Sequence, residues 1–569
     1  MNIIKHKDIL IFVFLLFATR IFLINVSNSN MFMTIIISLI SYYSYKKMDN
    51  NLNINSRFYS IVFSMILSQV IVAGFNIKYI DIRGSFNNNV IKYNKEQILI
   101  GLFFLIVLYP IINYIFYLVD SYIFEKKNLF LEKNHFSVFS FIIIYSSWIP
   151  YIMTYYPGGI VGDGLEIINR AMSEGVPLNA HWSIVYIYIL KIFIKIGLLL
   201  GDINKGIFLY TILESIVYAL SCTRICYEIY KRVGNYSYLC VIMYAFSGFF
   251  ASYSIVYWTD SLFSCALVLI GIYMYNIYRY DKKIVIGDCI KIFLLALFIS
   301  LWRNNGIYIL VVCIIGLLYV NKKEYSLIKT IVLAIVISFI IKGPIYTSFG
   351  IDTSKDSKVE SLSIPIQQVA AVINAGYELD NDDEKILYSI IPKEKWISLY
   401  APTLSDDLKN SVDKEYLDSH SKEFMCIWGK LLVNNSAIYV RAYLLQTIGF
   451  WKIGMYQGNY WDYWLGVVDN DIGIKQTNLL KKKFGIDITK ELEKRMDFVS
   501  SGTMVWLMFF SICAILYQKR NKNRIVFFLP LVGCWITVMI ACPIAFAYRY
   551  ILAIAMSLPV IILLPFEKE

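Results

Sequence analysis

Acidic and basic side chains occur beside apolar runs in segments that lie far apart in the sequence. They are Asp163 and Glu166 in YYPGGIVGDGLE, Asp260 in YWTD, Arg303 in LWRNNG and Arg549 in AYRY. A carboxylate can take a proton from an attacking hydroxyl group, and a guanidinium group can hold a phosphate through two parallel hydrogen bonds. If the fold brings these segments together, the set suits a hydroxyl group that attacks a phosphate-activated centre. Taken singly, each residue could equally be a helix cap or an interfacial anchor.

Three further residues could take part in such a site. Glu214 lies within an apolar run, where a carboxylate is functional by default. His181 precedes the apolar stretch 182–200 and could contact a substrate or satisfy a loop backbone group. Trp461 belongs to the aromatic segment GFWKIGMYQGNYWDYWLG (449–466), whose rings could stack on a sugar or form an interfacial belt or a domain core.

The composition indicates the elements that must position these residues. Of 569 residues, 58% are hydrophobic and 17% charged, whereas soluble domains carry about 25% charged residues. Apolar runs of about 17 to 25 residues recur, which is the length of a membrane-spanning helix. We therefore predict an all-α polytopic membrane protein with about fourteen spans.

The distribution of charge predicts the orientation of the chain. Residues 347–500 hold 18 Lys and Arg against 22 Asp and Glu, although the whole chain has a net charge of +12. The basic surplus lies mainly in short loops that fall on one side, as expected for cytoplasmic loops. The N-terminus is then cytoplasmic, residues 347–500 are extracytoplasmic in a bacterial-type plasma membrane, and nucleic-acid binding is not implied. Lys191 and Lys195 argue against a span at 182–200, which we expect to lie on the outer surface.

The chain divides into four regions under this topology. Residues 1–135 form an accessory module of four spans, and 136–346 form a catalytic membrane core with the outer loop 154–205. Residues 347–500 form a mainly helical extracytoplasmic domain, and 501–569 add three spans that complete the core. The ionisable residues named above then share the outer membrane level, with the bilayer as a partner.

Metal binding is only weakly indicated. The ten cysteines fall mostly inside apolar runs, and no CxxC pair or His/Cys cluster occurs. Two of the carboxylates could hold a divalent cation, so a cofactor of that kind stays open.

Several of these segments resemble known families. An Asp just after a span in the first long outer loop resembles the GT-C superfamily of polyprenyl-phosphate-sugar glycosyltransferases. The stretch that begins EGVPLNAHW looks like their juxtamembrane helix. From about residue 136 to the end, YYPG…D, LWRNNGIY, SIPIQQVA, APTLSDDLKN and AYRY are similar to a bacterial membrane family catalogued as domain of unknown function 6020.

The resemblance implies a GT-C-like core and a set of roles. Asp163 looks like the catalytic base, with Asp260 as a secondary acidic residue. Glu166 and Glu214 are secondary acidic candidates on their positions in the sequence alone. Arg303 and Arg549 look like holders of the donor phosphate. The implied activity is transfer of a sugar from a polyprenyl-phosphate donor to an extracytoplasmic acceptor, such as a cell-envelope glycan, lipid or protein. A polytopic transporter or lipid flippase, or an outward-facing polysaccharide polymerase or ligase, remains an alternative.

Overall fold

The structure is a computed structural model of the chain. It describes the following residues: 6–26, 31–48, 54–77, 93–122, 131–173, 178–179, 182–279, 284–320, 325–352, 357–454, 465–494, 498–518, 522–545 and 547–567.

The described residues are mainly helical, with isolated β-bridges and no strand among them. The first fourteen helices are α1 (His6–Val26), α2 (Met31–Lys47), α3 (Ile54–Phe75), α4 (Lys95–Ser121), α5 (Lys133–Thr154), α6 (Asp163–Met172), α7 (Ile184–Leu199), α8 (Ile203–Val233), α9 (Tyr238–Phe246), α10 (Gly248–Tyr253), α11 (Thr259–Arg279), α12 (Ile286–Trp302), α13 (Gly306–Val320) and α14 (Ser326–Ile340). The all-α prediction is confirmed for this part of the chain.

Eleven helices follow, most of them short, and three more end the described part of the chain. The eleven are α15 (Tyr346–Ser348), α16 (Ser357–Ser361), α17 (Ser363–Asn374), α18 (Asn381–Ile390), α19 (Lys393–Ser398), α20 (Asp406–Lys409), α21 (Lys414–Ser419), α22 (Ser421–Asn434), α23 (Ser436–Gln446), α24 (Leu479–Phe484) and α25 (Thr489–Glu493). The last three are α26 (Ser501–Tyr517), α27 (Leu529–Ile540) and α28 (Leu552–Leu563).

Nine helical segments in the described ranges are long and apolar enough to cross a membrane. They make the chain a multi-pass membrane protein, but the predicted count of about fourteen is not confirmed. One reason is that α8 and α9 join through a single turn at Gly234 and form one apolar segment, Ile203–Phe246. Another is that α13 and α26 have only 15 and 17 residues, short of the roughly 20 that a bilayer needs.

Among the nine membrane-length segments of the described ranges, those that contain α11 and α28 are the most buried, and both helices lie at the centre of the main hydrophobic core. Helix α11 contacts α8, α12, α27 and α28. Asp260 lies in the first turn of α11, and Arg549 precedes α28 in a short 3₁₀ turn. The two central helices therefore carry two of the predicted site residues to the same end of the bundle.

Helix α7 packs closely against α8, as two glycines at the crossing show. A Cβ atom added to Gly206 would lie 2.2 Å from the carbonyl oxygen of Phe193, and one added to Gly197 would lie 2.6 Å from the amide nitrogen of Gly206. Small residues at a helix crossing allow such close backbone approach. The predicted helix at 182–200 is thus present, while its orientation on the membrane surface stays a prediction.

The helices α1 to α4 pack on one another and touch the rest of the chain mainly through α26. Phe63 and Phe116 meet Phe510 and Tyr517 of that helix. Much of the predicted outer domain has a second hydrophobic cluster, which includes Trp396. However, residues such as Leu465, Ile474 and Leu492 belong to the main core.

The glycine at the α7–α8 crossing provides a test of this packing. We expect Gly206→Ala to destabilise the protein by about 1–3 kcal/mol, because the added methyl group overlaps the backbone of α7. The measurement is the thermal unfolding midpoint of the purified protein in detergent. Gly287→Ala is the control, since Gly287 has open space around its Cα. Equal stability of the two variants would contradict the close crossing.

Candidate functional site

The glycine-rich loop after α5 is fixed between two other segments. The Gly159 amide donates to the Ile255 carbonyl (2.8 Å), and the Tyr257 amide donates to the Gly159 carbonyl (2.9 Å). On the other side, the Ile160 amide donates to the Gly466 carbonyl (2.7 Å). The loop is therefore more than a plain Pro-Gly turn, because it is bonded on both sides to chain segments that are distant in sequence.

Glycine is required in this loop where the backbones meet. A Cβ atom on Gly164 would lie 2.8 Å from the Tyr257 carbonyl oxygen. Gly158 has a φ of +151° and lies close to Thr211, whose hydroxyl donates to the Pro157 carbonyl (2.6 Å). These contacts place Asp163, the first residue of α6, beside the segment that leads to Asp260.

Asp163 forms an ion pair with Arg549. The Arg549 Nη1 atom lies 2.7 Å from the Asp163 Oδ2 atom. The guanidinium group also lies over two aromatic rings, 4.9 Å from the centroid of Trp258 and 5.1 Å from that of Tyr550. The Arg549 side chain is only 14% exposed, whereas that of Asp163 is 42% exposed. The rings fix the plane of the guanidinium group, and the carboxylate remains accessible to a solute.

Asp260 and Arg303 form a second ion pair beside the first. Asp260 is buried at the start of α11, and Arg303 follows the last residue of α12. The Arg303 guanidinium group lies within electrostatic range of Arg549 and Asp163. Four of the predicted site residues thus converge from four separate segments. Two arginines within electrostatic range of each other, beside two carboxylates, form a site suited to an anionic ligand.

The segment before Arg549 is held by α17 and by the residues that precede α20. The Ser405 amide donates to the Pro543 carbonyl (2.9 Å), and the Ala545 amide donates to the Thr403 carbonyl (3.0 Å). The Ser363 hydroxyl donates to the Cys542 carbonyl (2.8 Å). The segments SIPIQQVA and APTLSDDLKN, noted in the sequence only for their resemblance, therefore position the loop that carries Arg549.

Lys409 is a site-supporting residue that the sequence did not reveal. Its side chain is 4% exposed, and its Nζ atom lies 2.9 Å from an Asp406 carboxylate oxygen and also contacts Glu360. Asp406 in turn lies within electrostatic range of Tyr550. Burial lowers the pKa of Lys409, but the two carboxylates raise it more, so the pKa lies above its ordinary value. A lysine in a polar stretch such as SDDLKN is normally solvated, and nothing in the sequence indicates that this one is buried.

Two other predicted acidic residues lie apart from the paired arginines. Glu166 pairs with Arg170 one turn along α6, at 3.0 Å. Glu214 is buried within α8, where it faces the Tyr210 hydroxyl group. Neither Glu214 oxygen has a hydrogen-bond partner among the described residues with acceptable geometry. The structure thus brings neither carboxylate into an ion pair with Arg303 or Arg549.

Some sequence predictions fall outside what the structure can address. His181 and Trp461 lie outside the described residues. Within those residues, no three His, Cys, Asp or Glu side chains come together as a metal site. The possible divalent cation therefore stays a prediction.

A comparison with protein families gives one match. The model of a family of unknown function, DUF6020, matches residues 177–569 of the chain. The match includes Asp260, Arg303 and Arg549, whereas the YYPG…D segment precedes it, although the resemblance was predicted from about residue 136. No curated protein and no solved structure matches the chain.

The Lys409 contacts predict a pH-dependent stability. Because the folded-state pKa is raised, the stabilisation is fully present below the ordinary pKa of 10.5 and is lost as the pH rises through the folded-state value. We expect Lys409→Met to lower stability at pH 8 by about 1–2 kcal/mol, since both carboxylates left behind are partly solvated. The thermal unfolding midpoint, measured between pH 8 and pH 11, checks this.

Lys430 provides the matched control. It also bridges two carboxylates, those of Asp380 and Asp383, but its side chain is 47% exposed. Lys430→Met should therefore change the unfolding midpoint little. If the two lysine variants shift the unfolding midpoint equally, burial does not make the Lys409 ion pairs more stabilising than the exposed Lys430 ion pairs.

Proposed function

We propose that this chain, which belongs to the family of unknown function DUF6020, is a membrane glycosyltransferase. It would transfer a sugar from a polyprenyl-phosphate donor to an extracytoplasmic acceptor. The observation that supports this most is the convergence of the pairs Asp163–Arg549 and Asp260–Arg303 at one end of the helix bundle.

The charge arrangement favours a phosphate group as the ligand. Arg303 and Arg549 repel each other, and their carboxylate partners offset that repulsion in the ligand-free site. A phosphate could bind both guanidinium groups with planar, paired hydrogen bonds. Because an extracytoplasmic site has no access to nucleotide sugars, a lipid-linked phosphate is the activated group that suits a membrane protein of the predicted orientation.

The proposed reaction uses one proton acceptor and two phosphate holders. The acceptor hydroxyl oxygen forms a bond to the anomeric carbon of the donor sugar, and the bond from that carbon to the phosphate oxygen breaks. The bonding electrons leave with the polyprenyl phosphate, whose added charge Arg303 and Arg549 stabilise. The proton of the acceptor hydroxyl group passes to the Asp163 carboxylate.

The Asp163–Arg549 pair makes donor binding precede proton transfer to Asp163 in the proposed reaction. While Arg549 is bound to Asp163, the ion pair opposes protonation of that carboxylate. A donor phosphate competes for the same guanidinium group and so loosens its bond to Asp163. The carboxylate then becomes a better base only when the donor is present.

The base assignment leads to a direct test with Asp163→Asn. The amide keeps the size of the side chain and can still accept a hydrogen bond from Arg549, but it cannot take a proton at neutral pH. We expect folded protein whose sugar transfer is reduced about 10²–10⁴-fold. The assay is transfer from a purified polyprenyl-phosphate sugar by the protein in proteoliposomes.

Glu166→Gln is the matched comparison for this test. Glu166 lies three residues away on the same helix, is paired with Arg170 and should keep most of the transfer activity when neutralised. Substantial turnover by Asp163→Asn would remove Asp163 from the base role. If the unchanged protein transfers no sugar in this assay but moves the intact lipid-linked sugar across the bilayer, a transporter or flippase is the better assignment.

Replacement of either site arginine by lysine should weaken the binding of the donor. We expect Arg303→Lys and Arg549→Lys each to raise the donor KM about tenfold or more, because an ammonium group cannot make two parallel bonds to phosphate. Steady-state kinetics against donor concentration measure this. Arg170→Lys, at the exposed pair with Glu166, is the control, and unchanged donor kinetics in both site variants would contradict the role in phosphate binding.

A further inference from the structure

A basic cleft lies beside the loop that leads to Asp163. It has a volume of about 550 Å³ and is formed by the start of α8 and the segment around α24. Four lysines line it, namely Lys205, Lys475, Lys482 and Lys483. The predicted outer domain carries a net negative charge, so a local concentration of lysines stands out from its surroundings.

The positive charge of the cleft is only partly offset within the described residues. Lys205 lies within electrostatic range of Asp202, and its Nζ atom donates to the Leu200 carbonyl (3.0 Å). None of the four lysines forms a salt bridge with a carboxylate group among those residues. Asp202 is the one carboxylate in the lining, and its Oδ1 atom accepts hydrogen bonds from the Asn204 amide (2.9 Å) and side chain (2.8 Å). The cleft therefore presents a positive field to an incoming group.

The walls of the cleft are joined by specific bonds. The Thr477 amide donates to the Tyr156 carbonyl (2.8 Å). The Asn204 side chain donates to the Gly473 carbonyl (3.2 Å) and accepts from the Lys475 amide (3.0 Å). The backbone of the cleft walls is thus fixed by the fold.

An apolar surface leads into the cleft from the membrane-spanning part of α8. Leu209 lines the cleft and is 40% exposed. Leu213, Val217 and Leu220 continue along the same exposed face, at helical spacing. These four residues, the α8 stripe, run from the basic cleft along a segment long enough to span the bilayer.

We propose that the cleft binds the phosphate headgroup of a membrane lipid, whose hydrocarbon chain lies along the α8 stripe. The lysines provide the charge complementarity to the phosphate, and the stripe favours a lipid over a water-soluble phosphate. This site does not depend on the proposed sugar transfer. It is also separate from the Asp163–Arg549 pair, since no lysine of the cleft takes part in that pair.

The test measures lipid binding to the full-length protein in detergent. The probes are a fluorescent phosphatidic acid, diacylglycerol with the same chains, and glycerol 3-phosphate as a chain-free competitor. We expect phosphatidic acid to bind much more tightly than either of the others. The double variant Lys482→Gln/Lys483→Gln should weaken this binding about tenfold or more.

The control is Lys490→Gln/Lys494→Gln, which removes the same charge from neighbouring exposed positions outside the cleft. It should change the affinity for phosphatidic acid by no more than about twofold, because charge away from the cleft acts only through a screened field. Equal weakening in both double variants, or unchanged binding in both, would overturn the proposal. So would equal binding of diacylglycerol, or competition by glycerol 3-phosphate at the concentrations at which the lipid binds.

Discussion

The ion pair between Asp163 and Arg549 joins residues 386 positions apart, and the arrangement of the candidate site depends on it. Arg549 lies beside a second arginine, and such a pair of like charges is unfavourable without carboxylate partners. The two central helices and the glycine-rich loop must therefore meet at one point. The same pair also determines the expected response of the site to ligand binding, since an anionic ligand competes with Asp163 for the Arg549 guanidinium group.

The helices between residues 357 and 446 have a role that the predicted division into a membrane core and a separate domain would miss. Their backbone and side-chain hydrogen bonds hold the segment before Arg549. Lys409 forms an ion pair with Asp406 in the same region. On the other side, residues 466–468 bond to the loop before Asp163. The site is thus built where the membrane helices meet segments of the region 357–500, which suits the proposed reaction between a lipid-linked group and a water-soluble or surface acceptor.

Sequence reasoning found the convergence of the four charged residues because each lies at the end of an apolar run on the same predicted side. It could not assign the pairs, since pairing depends on helix rotation and on a loop held by distant backbone groups. The pair Glu166–Arg170 is the exception, because its spacing of four residues along one helix favours a local ion pair. Ser363, Thr403 and Ser405 were not found because a bond to a backbone carbonyl leaves no sequence pattern. The number of spans was less predictable, since helix length depends on turns such as that at Gly234.

The competition between a lipid phosphate and Asp163 for Arg549 is most directly tested by the binding of polyprenyl phosphate itself, without sugar or acceptor. Its affinity would be measured for the protein with Asp163 intact and with Asp163→Asn, both in the Lys482→Gln/Lys483→Gln background so that the basic cleft contributes little. We expect the asparagine variant to bind polyprenyl phosphate several-fold more tightly, because a neutral side chain competes less for the guanidinium group. Unchanged or weaker binding would contradict a shared role of Arg549 in holding Asp163 and the donor phosphate.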